Sequence, residues 1–226
     1  MKALKIRCSS IGKLMATPRS KSEFLSQTAK SYIHDLVIEH KYGIRKEFSS
    51  RYTDKGNRVE DESIALVNEV LNFNFIYKNE ENLSNDWITG TPDVNTDEVL
   101  LDVKSSWDAT TFPFFDTEIP NKDYYYQLQG YMWLTGKQES ILAYCLVDTP
   151  IEMVEDEIRR AHWKLHKLDE DMELREEVES KHQFSHIPKN RRVKVFYVQK
   201  DEQVIEQIKQ KIEEARDYYN ALMQML

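Results

Sequence analysis

The residues from Ser140 to Val147 read Ser-Ile-Leu-Ala-Tyr-Cys-Leu-Val, a run with no charged side chain. A strand with one wet face would alternate apolar and polar residues. This one does not, so the run reads as a central strand covered on both faces. It is far too short to cross a membrane, which needs about 20 apolar residues. The rest of the chain must therefore supply neighbouring strands and covering helices.

The periodicity supplies both. Residues 9–16 read as a helix that Ser9 or Ser10 can cap. Over 24–43, Phe24, Leu25, Ala29, Tyr32, Ile33, Leu36 and Val37 recur at helical spacing, and Gly43 stands where a helix stops. Residues 54–71 read as one further helix, with Ala65, Leu66, Val70 and Leu71 as its apolar stripe and Glu60 in its first half. Residues 73–78 (FNFIYK) then alternate as a strand does, Trp87–Thr91 follow after a polar turn, and Val99–Lys104 form a short β-rich run behind the turn residues Asn95-Thr96-Asp97. After it come an aromatic helix over 122–135, the central strand, and a charged helix or helical pair over 151–180. A strand over 193–198 and an amphipathic helix over 201–225 close the chain. The order indicates one α/β domain over 1–226 with a central mixed sheet flanked by helices. Its parts are a basic helical segment (1–72), a core (73–147) and a helical C-terminal part with one strand (148–226).

Two cysteines, Cys8 and Cys145, give no disulfide framework, and no Cys-x-x-Cys spacing suits zinc or an iron–sulfur cluster. They read as reduced thiols of a cytoplasmic protein. The first fifteen residues lack the unbroken apolar stretch of a signal peptide. The net charge of −8 argues against a nucleic-acid partner, but its distribution does not. Residues 1–58 carry thirteen Lys/Arg against five Asp/Glu, +8, and the remainder carries −16. A basic N-terminal third is compatible with a local phosphate-binding surface.

The chemistry concentrates in Gly90-Thr91-Pro92-Asp93 and Leu101-Asp102-Val103-Lys104. Asp102 and Lys104 stand two apart on a strand, so both point to one face. Charges there are costly to bury without compensation. A hairpin can bring Asp93 beside Asp102, and two close carboxylates repel unless a cation lies between them. Hard oxygen donors suit Mg2+ or Mn2+, and the Val103 carbonyl is a natural further ligand.

Pro92-Asp93 followed by Asp102-Val103-Lys104 resembles the PD-(D/E)xK pattern of the restriction-endonuclease-like superfamily. Gln127 and Tyr131, at i and i+4 on one helix face, resemble the QxxxY motif of the branch that holds the RecB-type and lambda-type exonucleases. Tyr125 and Trp133 on the same helix read as core aromatics. Gly56-Asn57-Arg58-Val59-Glu60 resembles the Gly-x-x-x-Glu motif, whose Glu completes the metal site. Ile6-Arg7-Cys8-Ser9-Ser10-Ile11-Gly12-Lys13-Leu14-Met15 resembles the N-terminal segment of the lambda-type and YqaJ-like phage exonucleases, where a Ser and a nearby Arg hold the 5′-phosphate of the strand being degraded. Free N–H groups at a helix start and an Arg fork both suit phosphate. In this chain Arg7 lies only two residues before Ser9, closer than in the family, and Lys2 is the alternative cation. Thr91 matches a phosphate-contacting Ser. The motifs span residues 5–147 in matching order.

The resemblance implies a restriction-endonuclease-like fold and a metal-dependent exonuclease that digests duplex DNA ends 5′→3′, leaving 3′ single strands for phage-type recombination. It implies two Mg2+ (or Mn2+) ions, one held by Asp93, Asp102 and the Val103 carbonyl, the second by Glu60 with Asp102. Lys104 then serves the attacking water or the scissile phosphate, with Gln127 and Tyr131 orienting it. It also implies a homo-oligomeric ring, a trimer, whose basic hole would reconcile the acidic total with DNA. The acidic stretch Glu155–Glu179 is a candidate surface for a single-strand annealing protein. His34 could join the metal site as a helical His does in RecB-type nucleases, whereas His162, His166, His182 and His186 read as solvated. Two alternatives stay open: a structure- or site-selective endonuclease of the same fold, and a non-catalytic DNA-end-binding module.

Overall fold

A computed structural model describes residues 3–20, 22–47, 49–74 and 76–226. Lys2, the alternative phosphate cation, lies outside the described residues. The first half of the described chain runs β1 (Ile6–Arg7), α1 (Ile11–Met15), α2 (Gln27–Tyr42), α3 (Arg51–Arg58), α4 (Glu60–Leu71), β2 (Leu83–Ser84), β3 (Ile88–Gly90) and β4 (Val94–Asn95). It continues with β5 (Leu100–Ser105), α5 (Lys122–Thr135), β6 (Glu139–Cys145), α6 (Ile151–Lys164), α7 (Met172–Ser180), β7 (Val193–Gln199) and α8 (Glu202–Met225).

The uncharged run supplies β6 from Ser140 to Cys145, and the strand lies inside a four-stranded sheet of order β4-β5-β6-β7. It pairs parallel with β5, Asp102 opposite Leu142 and Lys104 opposite Tyr144, and antiparallel with β7. Both faces are covered, as the lack of alternation requires. On one side Leu100, Leu142, Tyr144, Phe196 and Val198 pack with residues of α1, α2, α5 and α8. On the other, Leu101, Val103, Ile141, Ala143 and Cys145 pack with Ile64, Leu66 and Val67 of α4. Asp102 and Lys104 share the parity of Leu100, so they point toward α5.

The two cysteines belong to opposite sides of this sheet and are free. Burial pushes the Cys145 thiol up to about 12 and raises Cys8 as well, so neither is poised to react. No helix among the described residues is long and apolar enough to cross a membrane.

Three details depart from the periodicity. The helix expected over 54–71 is two helices, because Val59 leaves helical geometry (φ −111°, ψ 18°). The break makes Glu60 the first residue of α4, and it turns Ile64 and Val67 inward while Ala65 is exposed. The described residues of 73–78 form no strand; Phe75 lies outside them. The segment follows the left-handed cap Asn72 (φ 55°) and drops Ile76 into the core, while Tyr77 is 65% exposed. Its alternation anchors a connector that finds no strand partner. The third departure is a separate small sheet, β1-β3-β2, in which Ile6 and Arg7 pair parallel with Ile88 and Thr89. Two-residue strands leave no periodicity to detect.

Candidate active site

β4 and β5 form the expected hairpin, with Val94 opposite Leu101. Asp93 stands at its open end and accepts a hydrogen bond from the Val103 amide at 2.7 Å. That bond places Asp93 beside the strand carrying Asp102 and Lys104. The Asp102 side chain is only 1% exposed. Its Oδ1 accepts from Gln127 Nε2 at 2.9 Å. Its Oδ2 meets Lys104 Nζ at 2.5 Å as an ion pair and is otherwise unpartnered.

α5 supplies the lid. Gln127 Nε2 also donates to the Tyr131 hydroxyl at 2.9 Å, and that hydroxyl donates to the Thr91 carbonyl at 3.1 Å. A continuous chain therefore runs Asp102–Gln127–Tyr131–Thr91, from β5 to the residue before Pro92. α5 approaches closely because the residue facing it is glycine. A Cβ on Gly90 would come 2.8 Å from Tyr131 Cε1 and 2.9 Å from Cys8 Sγ. Gly90→Ala is expected to destabilise the fold by about 1–3 kcal/mol through overpacking and to displace Tyr131. The measurement is thermal unfolding beside near-ultraviolet circular dichroism. Gly56→Ala is the contrast: Gly56 lies inside α3 with nothing within 4 Å of an added Cβ, so a gain of about 0.5–1 kcal/mol is expected.

The electrostatics are unbalanced. Burial first, then the charge of Asp102, pushes Asp93 well above the usual carboxylate range. Burial alone would lower Lys104, but Asp102 and Asp93 hold it above its ordinary value. Two carboxylates thus share one ammonium, and the excess negative charge suits a cation with oxygen ligands. Glu60 is near enough to raise Asp93 further. Its own partner is Lys78, at 3.1 Å. Among the described residues no three His, Cys, Asp or Glu side chains are gathered at ligating geometry. Asp93 and Asp102 are paired, and Glu60 is turned to Lys78.

The remaining candidates fall elsewhere. Ser9 is exposed in a 3-10 turn (Cys8–Ser10) that leads into α1. Ser10 is the N-cap of α1 but makes no side-chain capping bond. α1 has only five residues, so the helix expected over 9–16 is shorter and offers little dipole. Arg7 is paired with Glu39 at 3.1 Å. The Thr91 side chain is exposed and accepts from Asn82. His34 faces α8 and its Nε2 pairs with the Tyr218 hydroxyl at 2.8 Å, away from the carboxylates. His182 is buried rather than solvated, bonded to Thr149 and edge-on to Trp107. His162 is half-buried: its Nε2 accepts from the Asp171 amide just before α7. Tyr125 and Trp133 pack against the core as read.

Sequence reasoning missed Lys78 and Lys55. Lys78 ends the stretch misread as a strand. Lys55 has no exposed surface, and its Nζ donates to the carbonyls of Ser106 (2.7 Å) and Trp107 (2.9 Å), just after β5. A lysine one residue before Gly56 gives no sign of burial, since lysine is almost always at the surface.

No family model and no curated protein matches the chain. Solved structures do. A phage-related exonuclease from Haemophilus somnus 129PT superposes with a TM-score of 0.80 at 30% identity, over 99% of this chain and 96% of that one. An alkaline exonuclease from Laribacter hongkongensis superposes with a TM-score of 0.67 at 12% identity, over 98% of this chain and 90% of that one. A second structure of the Laribacter enzyme, in complex with dAMP, gives 0.63 at 15% identity over the same shares. The two Laribacter comparisons speak for the fold alone. The Haemophilus comparison covers nearly all of both chains at 30% identity: the chain belongs to the phage-related exonucleases of the lambda and YqaJ type.

Proposed function

We propose that this exonuclease is a metal-dependent deoxyribonuclease that digests duplex DNA from its ends in the 5′→3′ direction and leaves 3′ single strands for recombination. One observation carries the reading: Asp93 and Asp102 share the single ammonium of Lys104, under a Gln127–Tyr131 bridge from α5. A structural ion pair needs one carboxylate. A second one beside it must either hold a proton, as the upward shift of Asp93 shows, or pair with another cation.

The residues fit Mg2+ or Mn2+. In this reading Asp93, Asp102 and the Val103 carbonyl hold one ion, and Glu60, released from Lys78, holds a second with Asp102. Bound ions activate water and neutralise charge on the phosphate. The side chains do the rest. Lys104, 23% exposed, presents its ammonium to the scissile phosphate or to the incoming water. Gln127 fixes Oδ1 of the Asp102 carboxylate, so Oδ2, beside the Lys104 ammonium, keeps one direction. Tyr131, anchored on the Thr91 carbonyl, holds α5 at the distance that lets Gln127 reach. Ser9, Arg7 and Thr91 lie on the β1–β3 side, where the 5′-phosphate would be held. Contacts of this kind address the backbone and make cleavage largely independent of sequence. A ring of copies, a trimer in this reading, would surround the duplex.

The test is digestion of linear duplex and of closed circular duplex in Mg2+. The reading expects mononucleotides from the linear form, an intact circle, and no product in chelator. Cutting of the circle would instead make this an endonuclease. Retained DNA binding without digestion of either form would leave an end-binding module.

A further inference from the structure

A cleft of about 1300 Å³ lies between residues 7–19, α2 and the stretch Arg45–Glu47. Arg7 on its wall belongs to β1 and pairs in register with Thr89 of β3, the strand that leads to Thr91 and Asp93. Three of its five cations are paired with carboxylates. Arg7 Nη2 (3.1 Å) and Arg45 Nε (3.9 Å) converge on the same oxygen of Glu39. One turn earlier on α2, Asp35 takes Lys46 at 3.3 Å. On the same wall the Tyr32 hydroxyl is buried without a hydrogen-bond partner, and Lys13 Nζ lies 5.1 Å from its ring centre.

Two guanidinium groups on one acceptor atom, with an unused hydroxyl nearby, make an anion site already filled by a side chain. Glu39 fills it weakly. It stands in the last turn of α2, where the helix dipole disfavours a carboxylate. Its partners are 42% and 65% exposed, so water and salt screen both pairs.

We propose that Glu39 is a specificity-determining residue that holds the place of a terminal phosphate and makes binding depend on one. The inference rests on the reading of the chain as a 5′-end exonuclease. An internal phosphodiester carries one charge, as the carboxylate does, and gains little by displacing it. A terminal phosphomonoester carries about −1.5 to −2 with three acceptor oxygens, so it wins the exchange for Arg7 and Arg45. A 5′-hydroxyl end has nothing to exchange and meets Arg7 and Arg45 already paired with Glu39.

The experiment measures binding of hairpin duplexes with one open end, bearing 5′-phosphate or 5′-hydroxyl, by fluorescence anisotropy without divalent cation. Wild type, Glu39→Gln and Arg7→Gln are compared, with digestion in Mg2+ run in parallel. Glu39→Gln keeps the shape of a partly exposed side chain, so folding should be retained. Wild type is expected to favour the phosphorylated end by about tenfold. Glu39→Gln should bind the hydroxyl end about tenfold tighter and the phosphorylated end within a few-fold of wild type, erasing the preference. Arg7→Gln should lose the preference by weakening the phosphorylated end. Glu39→Gln that weakens the phosphorylated end would show instead that Glu39 aims Arg7, and an unchanged preference would show that Glu39 is a bystander. Either result, or a wild type that binds both ends alike, overturns the proposal. A wild type that prefers the phosphorylated end but digests nothing in Mg2+ removes the nuclease reading, while the binding comparison still decides the role of Glu39.

Discussion

Lys104→Ala is expected to lower nucleotide release by about a thousandfold or more, the usual scale for removing a positioned proton-transfer or charge-stabilising group. The same substitution should destabilise the protein without divalent cation by about 3–5 kcal/mol, because it strands a buried carboxylate. Lys104 is the ion-pair partner of Asp102 Oδ2, and Asp93 is already pushed up by the charge beside it. Added Mg2+ should therefore recover more stability in Lys104→Ala than in wild type, since the ion replaces the missing positive charge. Unfolding curves with and without Mg2+, beside a rate assay, check both halves. A variant that keeps a tenth of the wild-type rate would remove Lys104 from the chemistry.

The second large effect is on folding. Lys55→Ala is expected to cost about 3–5 kcal/mol, from the cavity left by its stem and the two carbonyls of Ser106 and Trp107 left unpaired. Those bonds tie α3 to the backbone just beyond β5. A second tie, Ser63 Oγ to Ser105 Oγ at 2.8 Å, joins α4 to the same strand end. Glu60 lies between the two ties in sequence. Burial pushes Lys55 down to about 8. Its ordinary value is 10.5. Between those values the unfolded chain holds a proton that the folded chain has lost. Raising the pH through that window removes an advantage of the unfolded state, so the Lys55 contribution to stability rises, by up to about 3 kcal/mol. The difference between wild type and Lys55→Ala should therefore widen from pH 8 to pH 10.5. A difference that stays flat would mean that Lys55 is not buried as a cation.

These two lysines mark what the sequence could and could not disclose. Lys104 was legible because a strand fixes direction: Asp102 and Lys104, two apart, had to share a face, and a hairpin had to deliver Asp93. Gln127 and Tyr131 were legible by the equivalent rule for helices. The uncharged run at 140–147 placed the central strand because covering both faces leaves a compositional trace. Lys55 was not legible, since its burial depends on Ser106, Trp107 and the ring of Phe184, 5.2 Å from its ammonium, none of them near it in sequence. The break at Val59 was hidden for a related reason. A helical period runs through 54–71 and carries no mark of the break at Val59, which is buried in the core under the sheet. The β1–β3 pairing was invisible because two residues carry no period. The pairing of Arg7 with Glu39 joins positions 32 apart, which charge counting along the chain cannot foresee. Counting did register the basic N-terminal third, and the structure gathers Arg7, Lys13, Arg19, Arg45 and Lys46 around one cleft, with four carboxylates among them.

The central claim is that the centre of Asp93, Asp102 and Lys104 removes nucleotides from the 5′ end of duplex DNA with a divalent cation. The direct measurement follows two linear duplexes in Mg2+, one labelled at the 5′-phosphate and one at the 3′ end, with wild type and Asp102→Asn. The account predicts that wild type frees the 5′ label as a mononucleotide in the first turnovers while the 3′ label stays in long strands. It predicts that Asp102→Asn frees neither. Early release of the 3′ label, or undiminished release by Asp102→Asn, would contradict it.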